Sequence, residues 1–233
     1  MIKNNNAYTI IEISIVVIIL SVILSLITNI KITQQNEQLK KIIAEIEQYN
    51  SEIKNFKIKY GFLPGDLKKT QIFNLSVNNT DGNENSLIED KNQQDGIYDR
   101  NLKMDGEIPN FWLHLYKSGF SASSKKIFPY SDFLKTSFLV FSYDRRNYYH
   151  LAVSGINFDK SIKTKDNLDP NQAYLIDKKF DDGLPFSGNV FAFGGNTINM
   201  SNIKAPTKNC ATEYEYLTVY RKKLCQLVME IDI

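Results

Sequence analysis

The longest hydrophobic run of the chain lies at its N-terminus and covers residues 8–30. Its side chains are mostly aliphatic, interrupted by one acid, Glu12, and a few small polar residues. At about 1.5 Å per residue, a helix of this length can span the roughly 30 Å hydrocarbon core of a bilayer. A cleaved secretory signal has a shorter apolar stretch of about 7 to 15 residues. The run therefore predicts a transmembrane helix that is retained in the mature chain.

Beyond residue 30 the pattern becomes amphipathic, because apolar residues recur three or four positions apart with Lys, Glu and Gln between them. The stripe consists of Leu39, Ile42, Ile43, Ile46, Tyr49, Ile53, Phe56 and Tyr60. Gly61 and Pro64 follow it and favour a helix end. We predict one helix over residues 8–60, with a transmembrane half (8–30) and an amphipathic half (31–60). The stripe packs on a domain of the same chain or in a coiled coil, and its breadth favours the domain.

Residues 61–233 predict a globular domain that contains a mostly antiparallel sheet. Segments rich in β-branched and aromatic residues lie at 138–143, 148–153, 188–193, 217–220 and 227–231. The first two predict a hairpin, and the last two predict a final strand pair joined through residues 221–223. With the long helix packed against this sheet, the predicted fold class is α+β.

Two shorter segments of this domain have helical features. Residues 108–120 predict a helix that is capped by Asn110 and stopped by Gly119. His114 falls within its apolar pattern, which indicates a structural histidine. Residues 173–176 predict a short helix or strand.

Composition and charge argue against nucleic-acid binding and against catalysis. Hydrophobic residues make up 42% of the chain, which is enough for a packed core. The 28 basic and 26 acidic residues give a net charge of +2, too small to attract nucleic acid. The two histidines, without a nucleophile motif or a phosphate-binding loop, do not assemble into a catalytic site, so we do not expect an enzyme.

Cys210 and Cys225 are the two cysteines of the chain, and no CxxC motif or nearby histidine completes a metal site. Either they form a disulfide or they are two unrelated buried thiols. A disulfide that closes a loop of about 15 residues contributes roughly 3 kcal/mol in the chain-entropy model. It persists in an oxidising compartment, which points to the periplasm.

Two polar segments could bind cations. Asp81, Asn83 and Asn85 have the alternate spacing of a calcium loop, although Ser86 replaces the turn glycine and Asn92 stands where a closing acid is needed. A solvated loop over residues 76–107 is the simpler interpretation, and no other cofactor is expected. The acids at positions 177, 181 and 182 permit an ion site, but an Asp-Gly turn explains them better.

Glu12 is unusual for a membrane anchor, because ionisable residues within apolar segments are costly and usually functional. It either reaches the interface or meets a positive partner. The surrounding sequence, in which Ala7 precedes Tyr8, Thr9, two aliphatic residues, Glu12 and a long apolar run, resembles the type IV prepilin and type II secretion pseudopilin signature. The Tyr-Gly-Phe-Leu-Pro-Gly-Asp run at 60–66 and the run at 176–185 also resemble segments of pseudopilin-like proteins.

The resemblance implies a leader at residues 1–7 and cleavage between Ala7 and Tyr8 by a prepilin peptidase, followed by N-methylation of Tyr8. The family usually has Gly where this chain has Ala7. Glu12 would pair with the α-amino group of a neighbouring subunit during assembly. In pilins a C-terminal disulfide commonly closes a surface-exposed region, and Cys210 and Cys225 match that placement.

Implied partners are the peptidase, other pilin or pseudopilin subunits, the inner-membrane assembly platform and the membrane. The implied protein crosses the inner membrane once, places its C-terminal domain in the periplasm, and builds a filament of a type II secretion or type IV pilus system. The alternative is a membrane-tethered periplasmic binding module that does not polymerise.

Overall fold

The computed structural model describes residues 9–68, 81–91, 102–121, 128–193 and 209–231. Its first element, α1, is a helix over Ile10–Tyr60. The chain divides after Lys41 into two compact units, which are described separately. The predicted helix end at Tyr60 is confirmed, whereas the predicted start at Tyr8 lies outside the described residues.

In the N-terminal unit, α1 is apolar and unburied. Over Ile10–Ile27 its mean hydropathy is 3.0, and no residue of this stretch is buried by the rest of the protein. Among the described residues it is the one helix that is long and apolar enough to cross a membrane. The helix predicted from the hydrophobic run is therefore present.

In the second unit, α1 buries one face in the domain. Its buried apolar residues are Ile42, Ile46, Tyr49, Ile53 and Phe56, spaced three or four apart as predicted. Ile58, on another face, is 74% exposed. The ring of Tyr49 lies 5.0 Å from those of Trp112 and Phe138 in edge-on contacts. The partner of the amphipathic half is thus the domain of the same chain.

A glycine ends α1. Gly61 adopts a φ of +82°, and its N–H donates to the carbonyl of Lys57 at 2.8 Å. Glycine is favoured in this left-handed position after a helix.

The described strands form one antiparallel sheet of six. They are β1 (Tyr130–Ser131), β2 (Thr136–Tyr143), β3 (Arg146–Ile156), β4 (Ile162–Thr164), β5 (Val190–Phe193) and β6 (Gln226–Glu230). The order is β1-β2-β3-β6-β5, and β4 pairs with the end of β3. The predicted hairpin is β2–β3, turning at Asp144 and Arg145. The α+β class and the antiparallel sheet are confirmed.

Two shorter helices complete the domain: α2 (Ile108–Lys117) and α3 (Pro170–Phe180). The prediction that Asn110 caps α2 is wrong, since Asn110 is fully buried inside the helix and Glu107 occupies the cap position. Pro109 explains the earlier start, because proline is favoured in a first helical turn. Asp169 caps α3 through a capping box with Gln172.

The predicted strand at residues 217–220 is absent, whereas its predicted partner is present as β6. Leu217 donates its N–H to the carbonyl of Cys210 at 2.8 Å, and Tyr220 closes a turn on Leu217. The physical reason is that β6 already pairs with β3 on one edge and β5 on the other. No edge of β6 is left for a further strand.

Candidate functional site

The N-terminus of α1 is closed by a capping box between Thr9 and Glu12. The N–H of Glu12 lies 3.3 Å from Thr9 Oγ1. In return, Glu12 Oε2 accepts from the N–H of Thr9 at 2.8 Å and from its hydroxyl at 2.9 Å. A Thr-x-x-Glu box satisfies N–H groups that have no partner within the helix. The Thr-x-x-Glu pattern is visible in the sequence, but the sequence-based interpretation treats Glu12 only as a charged residue of a membrane segment.

The capping box gives Glu12 an internal partner while keeping its carboxylate on the helix surface. Glu12 is exposed, as are its neighbours Ile11 and Ile13. Because both bonds from Thr9 end on Oε2, a cation could bind Oε1 without breaking the box. Ala7 and Tyr8, the residues of the predicted cleavage site, lie outside the described residues.

The segment after α1 forms a corner that fixes a loop of the domain. The N–H of Gly65 donates to Nδ1 of the buried His114 at 2.9 Å. Asp66 is fully buried, and its carboxylate accepts from the N–H groups of Glu84 at 2.5 Å and Ser86 at 2.7 Å. The Tyr-Gly-Phe-Leu-Pro-Gly-Asp run is therefore a structural clamp, and His114 has the structural role expected from its place in the helix.

Glu107 holds the same loop from the other side. Its carboxylate accepts from the N–H groups of Asn83 at 2.9 Å and Glu89 at 3.1 Å. Burial, followed by the nearby charge of Asp66, raises the pKa of Glu107 to about 8. Burial also raises the pKa of Asp66. Sequence reasoning missed this acid pair, because its members lie 41 positions apart (107 − 66).

The candidate calcium residues lie in this clamped loop. Asn83 Oδ1 accepts from the N–H of Asn85, and Asn85 Oδ1 accepts from the N–H of Leu87, each at 2.9 Å. Asp81 is exposed, and Asn92 lies outside the described residues. Such local bonds are typical of Asx turns, and each uses one of the two lone pairs of an amide oxygen. The calcium site stays a prediction.

Asp177, Asp181 and Asp182 place their carboxylates within 4.8 Å of one another. Asp177 accepts from the Tyr216 hydroxyl at 2.7 Å and from the N–H of Gly183 at 3.0 Å. Burial raises the pKa of Asp177 to about 7. The other two acids accept bonds within the 181–190 turn. The carboxylates thus organise a turn, the interpretation favoured from sequence.

Cys210 and Cys225 form a disulfide, with their Cα atoms 5.1 Å apart and both residues fully buried. This confirms the pairing over the alternative of two unrelated thiols. The bond closes a loop directly before β6. Tyr214 and Val219 are exposed on that loop.

His150 is buried in the sheet, 5.2 Å from the ring of Phe193. Burial lowers its pKa to about 3, so this imidazole is neutral at physiological pH. Its position on β3 within the core gives it a packing role.

No protein-family model, curated protein or solved structure matches the chain. Function is therefore inferred from the residues of this chain and their geometry.

Proposed function

We propose that the chain is a pilin-like structural subunit. A prepilin peptidase cleaves it between Ala7 and Tyr8 and methylates Tyr8. The subunit then joins other pilin or pseudopilin subunits on an inner-membrane assembly platform, in a type II secretion or type IV pilus system. The observation that carries this proposal is the exposed Glu12 at the start of an apolar helix that continues into a folded domain.

The described part of the chain leaves the apolar residues 10–27 uncovered, so they need lipid or other helices as cover. In the proposed cycle, lipid surrounds residues 10–27 before assembly, and the helices of neighbouring subunits surround them in the filament. A carboxylate in either setting is costly unless a cation meets it. The α-amino group of the next subunit's Tyr8 would supply that cation and fix the register of the helices.

The disulfide supports an inner-membrane protein whose domain lies in the periplasm. Disulfides persist in oxidising compartments and are rare in a reducing cytosol. In this proposal the domain contacts cargo, a tip complex or a surface, and it performs no catalysis.

A membrane tether that does not polymerise is the second candidate, and the capping box favours it. Thr9 satisfies the Glu12 carboxylate within one chain, so Glu12 has a local role even without a neighbouring subunit. A tether would not require cleavage at Ala7 or a methylated amine.

Intact and N-terminal mass analysis of the full chain, co-expressed with a prepilin peptidase, tests the proposal. We expect a chain that begins at N-methylated Tyr8. Ala7→Gly, which restores the usual family residue, should be cut at least as completely, and Ala7→Leu should not be cut because its side chain is larger. If both the natural chain and Ala7→Gly begin at Met1 while a known prepilin is processed in the same cells, the tether is correct.

A further inference from the structure

The hairpin between β3 and β4 carries Phe158 at its tip, where the side chain is completely exposed. Ile156, two positions earlier, is also exposed. Aromatic side chains usually supply buried area in cores and interfaces. A phenylalanine that projects from the protein has the form of an anchor for an apolar environment outside it.

The turn that presents Phe158 is tightly hydrogen-bonded. Asn157 donates its N–H to the carbonyl of Ser161 at 2.8 Å, and Lys160 donates its N–H to the carbonyl of Asn157 at 3.0 Å. Asp159 Oδ1 accepts from the N–H and the hydroxyl of Ser161 at 3.0 and 2.7 Å. The exposure of Phe158 is therefore a property of an ordered turn.

A second segment braces the same turn. Lys103 Nζ lies 2.9 Å from both the carbonyl oxygen and Oδ2 of Asp159, and Met104 donates its N–H to the carbonyl of Lys160 at 2.9 Å. The conformation is fixed before any partner arrives, so docking requires little further ordering of the backbone.

The turn is also basic. Lys160 lies in the turn close to Phe158, and Lys163 and Lys165 are exposed further back along the same hairpin, opposite Gly155 and Ala152. Two acids lie in the sequence 157–166: Asp159, whose carboxylate is paired with Lys103, and Asp166, which accepts from the side-chain amide of Gln226 at 2.8 Å. An aromatic tip flanked by unbalanced lysines complements a surface that is apolar beneath and anionic outside.

Within the domain, β2 begins beside the part of α1 that enters it first. Burial raises the pKa of the Glu45 carboxylate, and the nearby Ser131 hydroxyl lowers it to a smaller extent. Ser131 pairs with Thr136 at the start of β2. Further along both elements, Tyr49 meets Phe138. The two elements therefore advance through the domain in the same sense.

Because β3 is antiparallel to β2, it ends where β2 begins, and Val153 pairs with Ser137 there. From Val153 to Ile156 the strand advances about 10 Å. The helix covers only about 5 Å from Glu45 back to Ile42. The Phe158 tip thus extends past the end of the domain that holds Ile42 and Glu45.

We propose that this hairpin, with Phe158 and Lys160 at its tip and Lys163 and Lys165 behind it, docks on an anionic lipid bilayer. Phe158 enters the interface between headgroups and acyl chains while the lysines meet the headgroup charges. The inference rests on the membrane anchor of the proposed function, because a tethered domain needs only weak contacts to stay docked. It does not require filament formation.

The test uses the full chain reconstituted into vesicles of phosphatidylcholine with one-quarter phosphatidylglycerol. Phe158→Trp reports contact with acyl chains through quenching of its fluorescence by brominated lipids, after subtraction of the signal of the parent chain from the buried Trp112. Tyr214→Trp is the matched control, because Tyr214 is an exposed aromatic residue on the disulfide loop.

We expect quenching of Phe158→Trp and none of Tyr214→Trp. Replacing one of the three lysines by Gln should lower the docked-to-free ratio by about fivefold, which corresponds to ~1 kcal/mol. High salt should act in the same direction.

Absent quenching at position 158, or equal quenching at position 214, would overturn the inference. If quenching disappears at a high protein-to-lipid ratio and cross-links between copies form at the tip instead, the tip mediates contacts between subunits. That result would also overturn the inference. If the chain does not float with the vesicles at all, the membrane anchor fails, which contradicts the proposed function separately.

Discussion

Two parts of one helix contrast sharply in how their apolar residues are covered. Over Ile10–Ile27 of α1 no residue is buried. Over residues 42–56 the apolar stripe lies against the sheet and α2, and Ile53 and Phe56 are fully buried. The backbone is helical in both parts, so the difference lies in the environment that each side-chain pattern requires.

The contrast distinguishes the apolar residues that this chain buries itself from those that need an external environment. The amphipathic part finds its partner in the same polypeptide, as its periodicity indicated. The apolar part is helical throughout, and no described residue covers it, which suits a helix in lipid or in a bundle. Substitutions in the two parts should therefore fail in different assays.

Glu12→Ala should give the largest effect, and in assembly alone. Removing one partner of a buried ion pair costs about 3–5 kcal/mol, so incorporation into filaments should fall by about two orders of magnitude or more. Membrane insertion and domain stability should not change. The measurement is the amount of the variant in purified filaments relative to the membrane fraction.

Ser14→Ala is the control for Glu12→Ala, since Ser14 is a polar residue in the same apolar stretch. Its hydroxyl donates to the carbonyl of Ile10 at 2.7 Å, and it carries no charge that could pair with a neighbouring subunit. It should be incorporated normally. Unchanged incorporation of Glu12→Ala would falsify the pairing and leave Glu12 as a helix cap.

Ile53→Ala should have the next largest effect, in the packed part of α1. Removing a buried aliphatic side chain and leaving a cavity lowers the free energy of unfolding by about 2–5 kcal/mol. Denaturant unfolding of the full chain in detergent, followed through Trp112, measures it. Ile58→Ala removes the same atoms from an exposed position and should change stability little; equal losses would mean that burial in α1 does not stabilise the domain.

Elements whose hydrophobic periodicity matches the face that they bury were predictable from sequence. The stripe of α1 and the β2–β3 hairpin follow from local periodicity and turn residues. The absent strand at 217–220 was not predictable, because the pairing of β6 with both β3 and β5 is a property of the whole sheet. Local β-propensity carries no information about whether an edge is free.

The candidate sites divide in the same way. The disulfide was predictable because the chain has two cysteines, and the Thr9–Glu12 box was readable as Thr-x-x-Glu at a helix start. The convergence of Asp66 and Glu107 on one loop required the fold. Glu107 stands in no local motif, and the run that ends at Asp66 does not by itself indicate that this carboxylate is buried.

Cys225→Ser should lower the free energy of unfolding by about 3 kcal/mol, because the disulfide restricts a loop of about 15 residues in the unfolded chain. Hydrogen exchange should increase mainly over residues 209–225, since β6 keeps its pairing with β3 and β5. Treatment of the natural chain with a reductant should reproduce the change. A uniform increase in exchange throughout the domain would instead show that the disulfide supports the whole sheet. Exchange in the apolar residues 10–27 should not change in either case.

Glu107→Gln should change the pH dependence of domain stability, with a smaller effect per pH unit than the loss expected for Cys225→Ser. The folded state holds the Glu107 proton up to a pKa of about 8, against an ordinary 4.5, so folding binds a proton between these values. The natural domain should therefore lose stability as pH rises through this window, by at most about 1.4 kcal/mol per pH unit from this group. Glu107→Gln should flatten that slope and leave a contribution from Asp177, whose pKa is also raised.

Unfolding midpoints at a series of pH values test this, with the exposed Glu213→Gln as the charge-matched control. If both variants keep the full slope, Glu107 is ionised in the folded domain and the loop is held by a carboxylate, not by a carboxylic acid.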